Sequence, residues 1–380
     1  MNEASRILVV DDDPGMRRAL LRALGSTYRV EAVAGSGEAL ACLGEGEFSL
    51  ALVDVRLQEG DGYTLCRQIR EGWPQTDVIL VTGSVSEPDE KLFRSLEEGA
   101  FYFLFKPFDR RVLHALVDRC LGLQRERRAK EEYAATLAAD LERARVFQHS
   151  LLPPGPVAHG GWLLEGRLLS CDPLGGDLFS YSALPAEDEG ATFFISDIEG
   201  HGVRAAMLAG MLRSALDAAR RRSPDPERVG RELRLGHDSY APAGTATLVY
   251  GHLGHQGGLR FVSAGHPPLL WHHGRCIERL PATGVLLHQV LRDRPLPARE
   301  VSLEPGDRVL AYTDGVYEAR NPADSELGLE RLEEALAASR ALPVAAALDA
   351  ILGRVHEHGG GRPFGDDVTL LLIERTGGDR

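Results

Sequence analysis

The 380 residues predict three segments in series: an α/β domain with a parallel sheet covered on both faces, a long helix, and an α+β sandwich. Three observations carry this reading. Up to residue 122, short continuous apolar runs alternate with helix-like stretches. From Leu113 to Leu151, positions three and four apart form an unbroken series without a proline. Beyond residue 151, many β-rich runs are divided by glycine turns, and isolated aspartates stand where those runs begin or end.

In the first segment, residues 7–10, 50–53, 78–81 and 101–105 read as strands, and 16–24 and 38–43 as helices. Ligands of such sheets bind beyond the carboxyl ends of the strands. Asp11, Asp12 and Asp13 follow the first run, Asp54 the second, Thr82 and Gly83 the third, and Lys106-Pro107 the last. Helix capping is the plainer use of any one acidic residue there. Polar residues at four successive strand ends point instead to one site. Carboxylates brought together repel, and a divalent cation relieves that repulsion; an all-oxygen set suits Mg²⁺. A lysine and a hydroxyl complete an anion site.

The motifs Val9-Val10-Asp11-Asp12-Asp13-Pro14, Leu52-Val53-Asp54, Val81-Thr82-Gly83 and Phe105-Lys106-Pro107 resemble the receiver domain of bacterial two-component response regulators. The resemblance covers residues 5–122 and implies a flavodoxin-like (βα)5 fold. It implies that Asp54 accepts a phosphoryl group from a cognate histidine kinase. Asp11 and Asp12 would hold Mg²⁺ with Asp54, and Lys106 would contact the phosphoryl oxygens. Thr82 takes the place of the switch hydroxyl and Phe103 that of the switch aromatic.

The second segment runs through Leu113, Leu116, Cys120 and Leu123 to Leu137, Leu141, Ala144, Gln148 and Leu151, with Arg127 and Lys130 on the same seam. Five such heptads predict a coiled coil, hence a homodimer. At about 1.5 Å per residue, roughly 40 residues make a rod of about 60 Å. The prolines after Leu151-Leu152 end it. The expected domains are therefore 1–122, a linker helix 123–150, and 151–376.

In the third segment Gly175-Gly176-Asp177 is a glycine turn ending in a carboxylate. Asp197 closes an apolar run and opens a glycine turn, Asp314-Gly315 follows another, and Asp366-Asp367 precedes the last. Asp-Gly alone is a turn signal. Aspartates at strand ends can nevertheless converge on one all-oxygen, two-metal site that activates water and clamps phosphoryl oxygens. No histidine cluster with metal spacing competes, and His272-His273 reads as surface.

The order of motifs resembles the PPM family of metal-dependent serine/threonine phosphatases in its SpoIIE/RsbU-like branch. The motifs are Phe147 to Pro154, Gly175-Gly176-Asp177, Asp197 to Gly202, Ser263 to Pro268, Tyr312 to Val316 and Asp366 to Leu370. The resemblance implies an αββα sandwich with two Mn²⁺ or Mg²⁺ ions. Asp197 would bridge them, with the Ile198 carbonyl on one, Asp314 and Asp366 on the other, and Asp177 completing the site. It implies attack of metal-activated water on phosphoserine or phosphothreonine without a phosphoenzyme. His201 and His266 read as turn-stabilising. Two departures stand out: the usual Pro-Leu-Gly turn is replaced near Gly284 to His288, and an aspartate three after Asp177 is replaced by Ser180.

Composition bounds the function. Apolar residues make up 43% and charged residues 26%, ordinary globular usage. Net charge is −13, and no segment offers the basic footprint of phosphate-backbone binding, which disfavours a DNA-binding output. Five scattered cysteines form no C-x-x-C pair, no run of 18 apolar residues exists, and the first residues lack a signal-peptide core. A cytoplasmic protein without membrane or nucleic-acid partners is expected. The expected activity is a phosphatase gated at Asp54, acting on a phosphorylated regulatory protein of the anti-anti-sigma (STAS) type. The alternative is a non-catalytic adaptor that binds a signalling partner.

Overall fold

The computed structural model describes residues 5–58, 60–83, 100–184, 190–241 and 244–377, and the chain divides into two compact units, Met1–Thr136 and Leu137–Arg380. The first unit contains β1 (Arg6–Val10), α1 (Pro14–Leu24), β2 (Arg29–Val33), α2 (Ser36–Glu45) and β3 (Leu50–Asp54). A small hairpin of β4 (Arg56–Leu57) and β5 (Gly60–Asp61) leads to α3 (Gly62–Gly72), β6 (Asp77–Thr82), β7 (Tyr102–Phe105) and the start of α4 (Arg110–Ser150).

Five parallel strands lie in the order β2-β1-β3-β6-β7. Strands β1, β3 and β6 are apolar without alternation because both faces are covered. Leu8, Val10, Val53 and Leu80 meet one helical layer, and Ile7, Val9, Leu52 and Val81 the other. Each such side chain contributes about 1.5–3 kcal/mol on full burial. The reading above missed β2. Its sequence Arg-Val-Glu-Ala-Val is an edge strand exposed on one side, so it lacks the continuous apolar run. Helix α1 starts where Pro14 takes the first turn and the Asp13 carboxylate accepts from Gly15 N–H at 2.8 Å.

Helix α4 is uninterrupted. Leu113, Val117, Cys120 and Leu121 pack under the parallel sheet, and the Gln124 amide donates to the Ser49 and Gln75 carbonyls. Past Gln124 its side chains are mostly exposed, Tyr133 by 71% and the seam residue Leu137 by 48%. No described helix is long and apolar enough to cross a membrane.

The second unit continues with β8 (Val157–His159), β9 (Trp162–Leu169), β10 (Leu178–Ala183), β11 (Ala191–Ile198), α5 (Val203–Arg222), α6 (Pro226–Tyr240), β12 (Ala246–Leu253) and β13 (Gly258–Ala264). There follow β14 (Leu269–His273), β15 (Cys276–Leu280), β16 (Arg299–Ser302), β17 (Arg308–Tyr312), α7 (Asp314–Tyr317), α8 (Leu329–Ala338), α9 (Val344–Gly359) and β18 (Val368–Arg375). Two antiparallel sheets form, β10-β11-β12-β13-β16 and β15-β14-β17-β18-β9-β8.

Strand alternation builds four layers. Trp162, Phe179, Phe193, Phe261 and Ile373 fill the space between the sheets. Phe194, Tyr250 and Val262 turn outward onto α5 and α6, while Leu270, Tyr312 and Leu370 turn outward onto α8 and α9. This is an αββα sandwich. His272 is not on the surface: it shares the covered face of β14 with Leu270, is 3% exposed, and meets Arg340 at 3.2 Å.

Candidate functional site

In the first unit the parallel strands deliver their carboxyl ends to one edge. Ligand oxygens of Asp11, Asp12 and Asp54 lie within 4.8 Å of one another. The Lys106 ammonium, just past β7, donates to Asp11 Oδ2 at 2.6 Å and to Asp54 Oδ2 at 2.7 Å. Burial raises the Asp11 pKa against the lowering effect of Lys106, which leaves a carboxylate that gains from a cation. The Lys106 pKa is held up: burial alone would lower it, and its two carboxylate partners outweigh that. Thr82 at the end of β6 is 1% exposed, and Phe103 is buried edge-on against Phe105 with ring centres 5.1 Å apart. Three carboxylates against one ammonium are an oxygen set that fits Mg²⁺.

In the second unit, antiparallel pairing does the same work from two sheets. Asp177 immediately precedes β10 and Asp197 lies at the end of β11, its neighbour, where Leu178 pairs with Ser196. Asp314 lies just past β17 and Asp366 just before β18, where Tyr312 pairs with Leu370. All four are thus brought to one edge of the sandwich. Their mutual influence is electrostatic: burial and then Asp314, Asp366, Asp367 and Glu318 raise the Asp197 pKa, and burial and then Asp366 raise that of Asp314. The charges acting most strongly on Asp197 are all carboxylates. No three of these aspartates meet the 4.8 Å spacing of the first unit; among the described residues only Asp11, Asp12 and Asp54 do.

Asp177 is 3% exposed, and its Oδ2 accepts from the Thr313 hydroxyl at 2.7 Å and the Thr369 hydroxyl at 2.5 Å. Burial and the nearby Asp197 push its pKa well up. The turn before it must be glycine. A Cβ on Gly175 would stand 1.8 Å from Asp367 Oδ2, and one on Gly176 would stand 2.3 Å from the Ile198 carbonyl oxygen. That carbonyl therefore faces the turn. Asp367 is structural here, accepting from Cys171 N–H at 2.9 Å and Asp177 N–H at 3.3 Å. The Gln148 side chain at the end of α4 reaches the same turn, donating to Gly175 O at 2.7 Å and accepting from Gly175 N–H at 3.3 Å.

Sequence reasoning did not single out Asp367, Glu318, Thr313 or Thr369. Glu318 had a signal, since four residues after Asp314 on one helix puts both carboxylates on one side. The hydroxyls had none: Thr369 reads as a β-former in β18, and Thr313, between β17 and α7, reads as a helix cap. His201 pairs with Asp172 at 2.5 Å on the surface, and His266 Nδ1 meets the Thr247 hydroxyl at 2.7 Å in the interior. The replaced turn is tied to β13 through Gly284 N–H to Ser263 O at 2.9 Å. Ser180 is 1% exposed.

The family model for stage II sporulation protein E (SpoIIE) matches residues 187–376, half of the chain, and that for the response regulator receiver domain matches residues 7–118. Among curated proteins the chain is similar to the transcriptional regulatory protein GlrR of Escherichia coli, 33% identical over 121 residues, 32% of this chain and 27% of GlrR. It is also similar to protein IcfG of Synechocystis, 26% identical over 267 residues, 62% of this chain and 42% of IcfG. The chain thus spans 27% of the length of the first curated relatives it matches. Among solved structures it is similar to the SiaA-PP2C domain of Pseudomonas aeruginosa, with TM-score 0.57 and 22% identity over 64% of this chain and 98% of that one. The RsbU and RsbW domains of a Mycobacterium tuberculosis protein align with TM-score 0.52 and 24% identity over 60% and 63%. At these identities the structural likeness establishes the fold, a PP2C sandwich.

Proposed function

The chain belongs to the SpoIIE family through its second unit and carries a response regulator receiver domain in its first, and from that premise we propose that it is a metal-dependent protein serine/threonine phosphatase gated by phosphorylation of Asp54. The domains are a receiver (1–122), a linker helix (123–150) and a phosphatase (151–376). The observation that carries the reading is the convergence of Asp177, Asp197, Asp314 and Asp366 on one edge of the two sheets, where the charges acting most strongly on Asp197 are all carboxylates. An acidic cluster of this kind fits divalent cations, Mn²⁺ or Mg²⁺, and two of them would together activate a water and clamp phosphoryl oxygens.

Asp197, Asp314 and Asp366 would hold the ions together with the Ile198 carbonyl, and Asp177 would complete the set. When bound, the ions supply charge neutralisation for the phosphoryl group and a water more acidic than bulk water. The chain's own residues then divide the remaining work. Thr313 and Thr369 fix the Asp177 carboxylate, and the Gly175-Gly176 turn lets it sit against β11. The first unit would bind Mg²⁺ through Asp11, Asp12 and Asp54, take a phosphoryl group from a histidine kinase on Asp54, and stabilise it with Lys106. Thr82 and Phe103 would report the phosphorylated state. A phosphorylated STAS-type regulator is the substrate this reading favours, and the exposed seam of α4 supports a homodimer.

The test is hydrolysis of a small aryl phosphate by the full-length protein with and without Mn²⁺. Turnover that requires Mn²⁺ and falls by three orders of magnitude or so in Asp197→Ala is expected. A metal-independent rate, or an Asp197→Ala variant as active as wild type, would sink the catalytic reading and leave the adaptor.

A further inference from the structure

A cleft of about 520 Å³ lies between α6 and the loop 292–297 that leads into β16. Four arginines, Arg231, Arg234, Arg292 and Arg294, line it against two carboxylates, Glu227 and Asp293, on a chain whose net charge is −13. Glu227 is engaged outside the cleft, and Asp293 lies beside one of the cleft's own arginines. Glu227 accepts from Ala298 N–H at 3.0 Å and lies 3.5 Å from Arg260, while the exposed Asp293 lies 3.9 Å from Arg292. Among the described residues, Arg231 and Arg294 form no ion pair.

Arg234 points most directly to a ligand. It is 5% exposed, and its guanidinium is held by the backbone carbonyls of Arg294 and Val285, not by a carboxylate. Its Nε has no hydrogen-bond partner among the described residues. Burial lowers its pKa, and Asp238, one turn further along α6, opposes that only through space. A guanidinium taken out of water without a hydrogen-bonded counter-charge is costly, and an anion in the cleft relieves the cost.

We propose that this cleft binds a small phosphorylated anion. The guanidinium forks of Arg231, Arg234 and Arg294 suit phosphate oxygens, which they can take two at a time. Leu235, Pro295, Leu296 and Pro297 offer apolar surface to the body of the ligand, and the volume is that of a small-molecule site. An extended acidic polypeptide fits less well. The four arginines are gathered in one small cleft, and the exposed Asp293 beside it would repel a longer acidic chain. The proposal stands independently of the catalytic reading.

Isothermal titration of the full-length, metal-free protein with pyrophosphate and with ADP tests it. Without metal, the two aspartate clusters repel these probes. Saturable binding that weakens as salt rises is expected. It should weaken by about tenfold or more in the double variant Arg231→Glu, Arg294→Glu, both exposed positions, as the loss of two charge-assisted contacts requires. Thermal unfolding of that variant without probe should match wild type. No saturable binding of either probe overturns the proposal. So does an affinity unchanged in the double variant, which would put the anion elsewhere, for instance at Lys106. Binding of polyglutamate but of neither phosphate probe would also overturn it, in favour of an acidic partner segment.

Discussion

Two buried hydroxyls decide how Asp177 presents its carboxylate. Thr313 and Thr369 both donate to the same oxygen, Oδ2, which leaves Oδ1 for other work. Thr369→Val keeps the shape and removes one donor. Outer-shell losses of this kind weaken metal binding by roughly 10–100-fold. The Mn²⁺ concentration for half-maximal turnover should rise by that factor while the rate at saturating Mn²⁺ is largely kept; an unshifted Mn²⁺ curve would refute the role. A second prediction concerns His266, which is 3% exposed and whose pKa burial pushes down to about 3. The unfolded chain takes up its proton near 6.5, the folded one only near 3, so this stability is present above 6.5 and drains away as pH falls toward 3. The loss should be about 2 kcal/mol between neutral pH and pH 5. Urea unfolding followed by Trp162 and Trp271 fluorescence, in a Trp73→Phe background, measures it, and His266→Gln should lose less over the same interval. At this scale the strand-end aspartates were legible only as a set: any one could cap a helix or make a turn, and their recurrence at strand ends is what pointed to one edge. Asp367 was legible only as one half of an Asp pair; in the fold it braces the Gly175 turn and adds to the field that raises the Asp197 pKa.

At the scale of elements, continuous apolar strands and the long 3-4 repeat were legible, and a half-exposed strand was not. β2 carries Arg29 and Glu31 outward at a sheet edge, so its pattern resembles a polar loop. His272 failed for the opposite reason, since a polar pair in a short strand gives no sign that α8 and α9 cover one of its faces. The last turn of α4 meets the Gly175 turn. Its Gln148 amide makes both a donor and an acceptor bond to the Gly175 backbone, two residues before Asp177. Each bond is worth about 1 kcal/mol, so Gln148→Ala should lower kcat/KM toward aryl phosphate by roughly tenfold. Its melting temperature should fall by only a few degrees, as the loss of two hydrogen bonds at a partly exposed residue implies. An unchanged kcat/KM would mean that the helix end merely rests on the turn.

At the scale of the whole chain, what remains is whether the receiver's state reaches the acidic edge of the sandwich. Helix α4 has no break between Arg110 and Ser150. Its first turns are locked in the receiver core through Leu113, Val117 and Cys120, and its last reach the Gly175 turn through Gln148. Between them the side chains are largely solvent-exposed, held by pairs such as Arg143 with Asp140 and Arg145 with Glu142. Exposed pairs of this kind contribute little to stability, so the seam is free to change its packing at low cost. A helix that packs in each unit and is exposed in between can exist in two arrangements, which is what coupling between two sites requires. Coupling free energies of 1–3 kcal/mol correspond to about 5–150-fold in a site's equilibrium. Beryllofluoride with Mg²⁺ should therefore change aryl-phosphate turnover by a factor in that range, and Asp54→Asn should abolish the response while leaving Mn²⁺-dependent turnover in place. Sedimentation of the same samples reads the seam directly. A change in self-association that Leu137→Asp with Leu141→Asp removes, together with the beryllofluoride response, would place the switch in α4. A response that survives those seam substitutions would take α4 packing out of the mechanism.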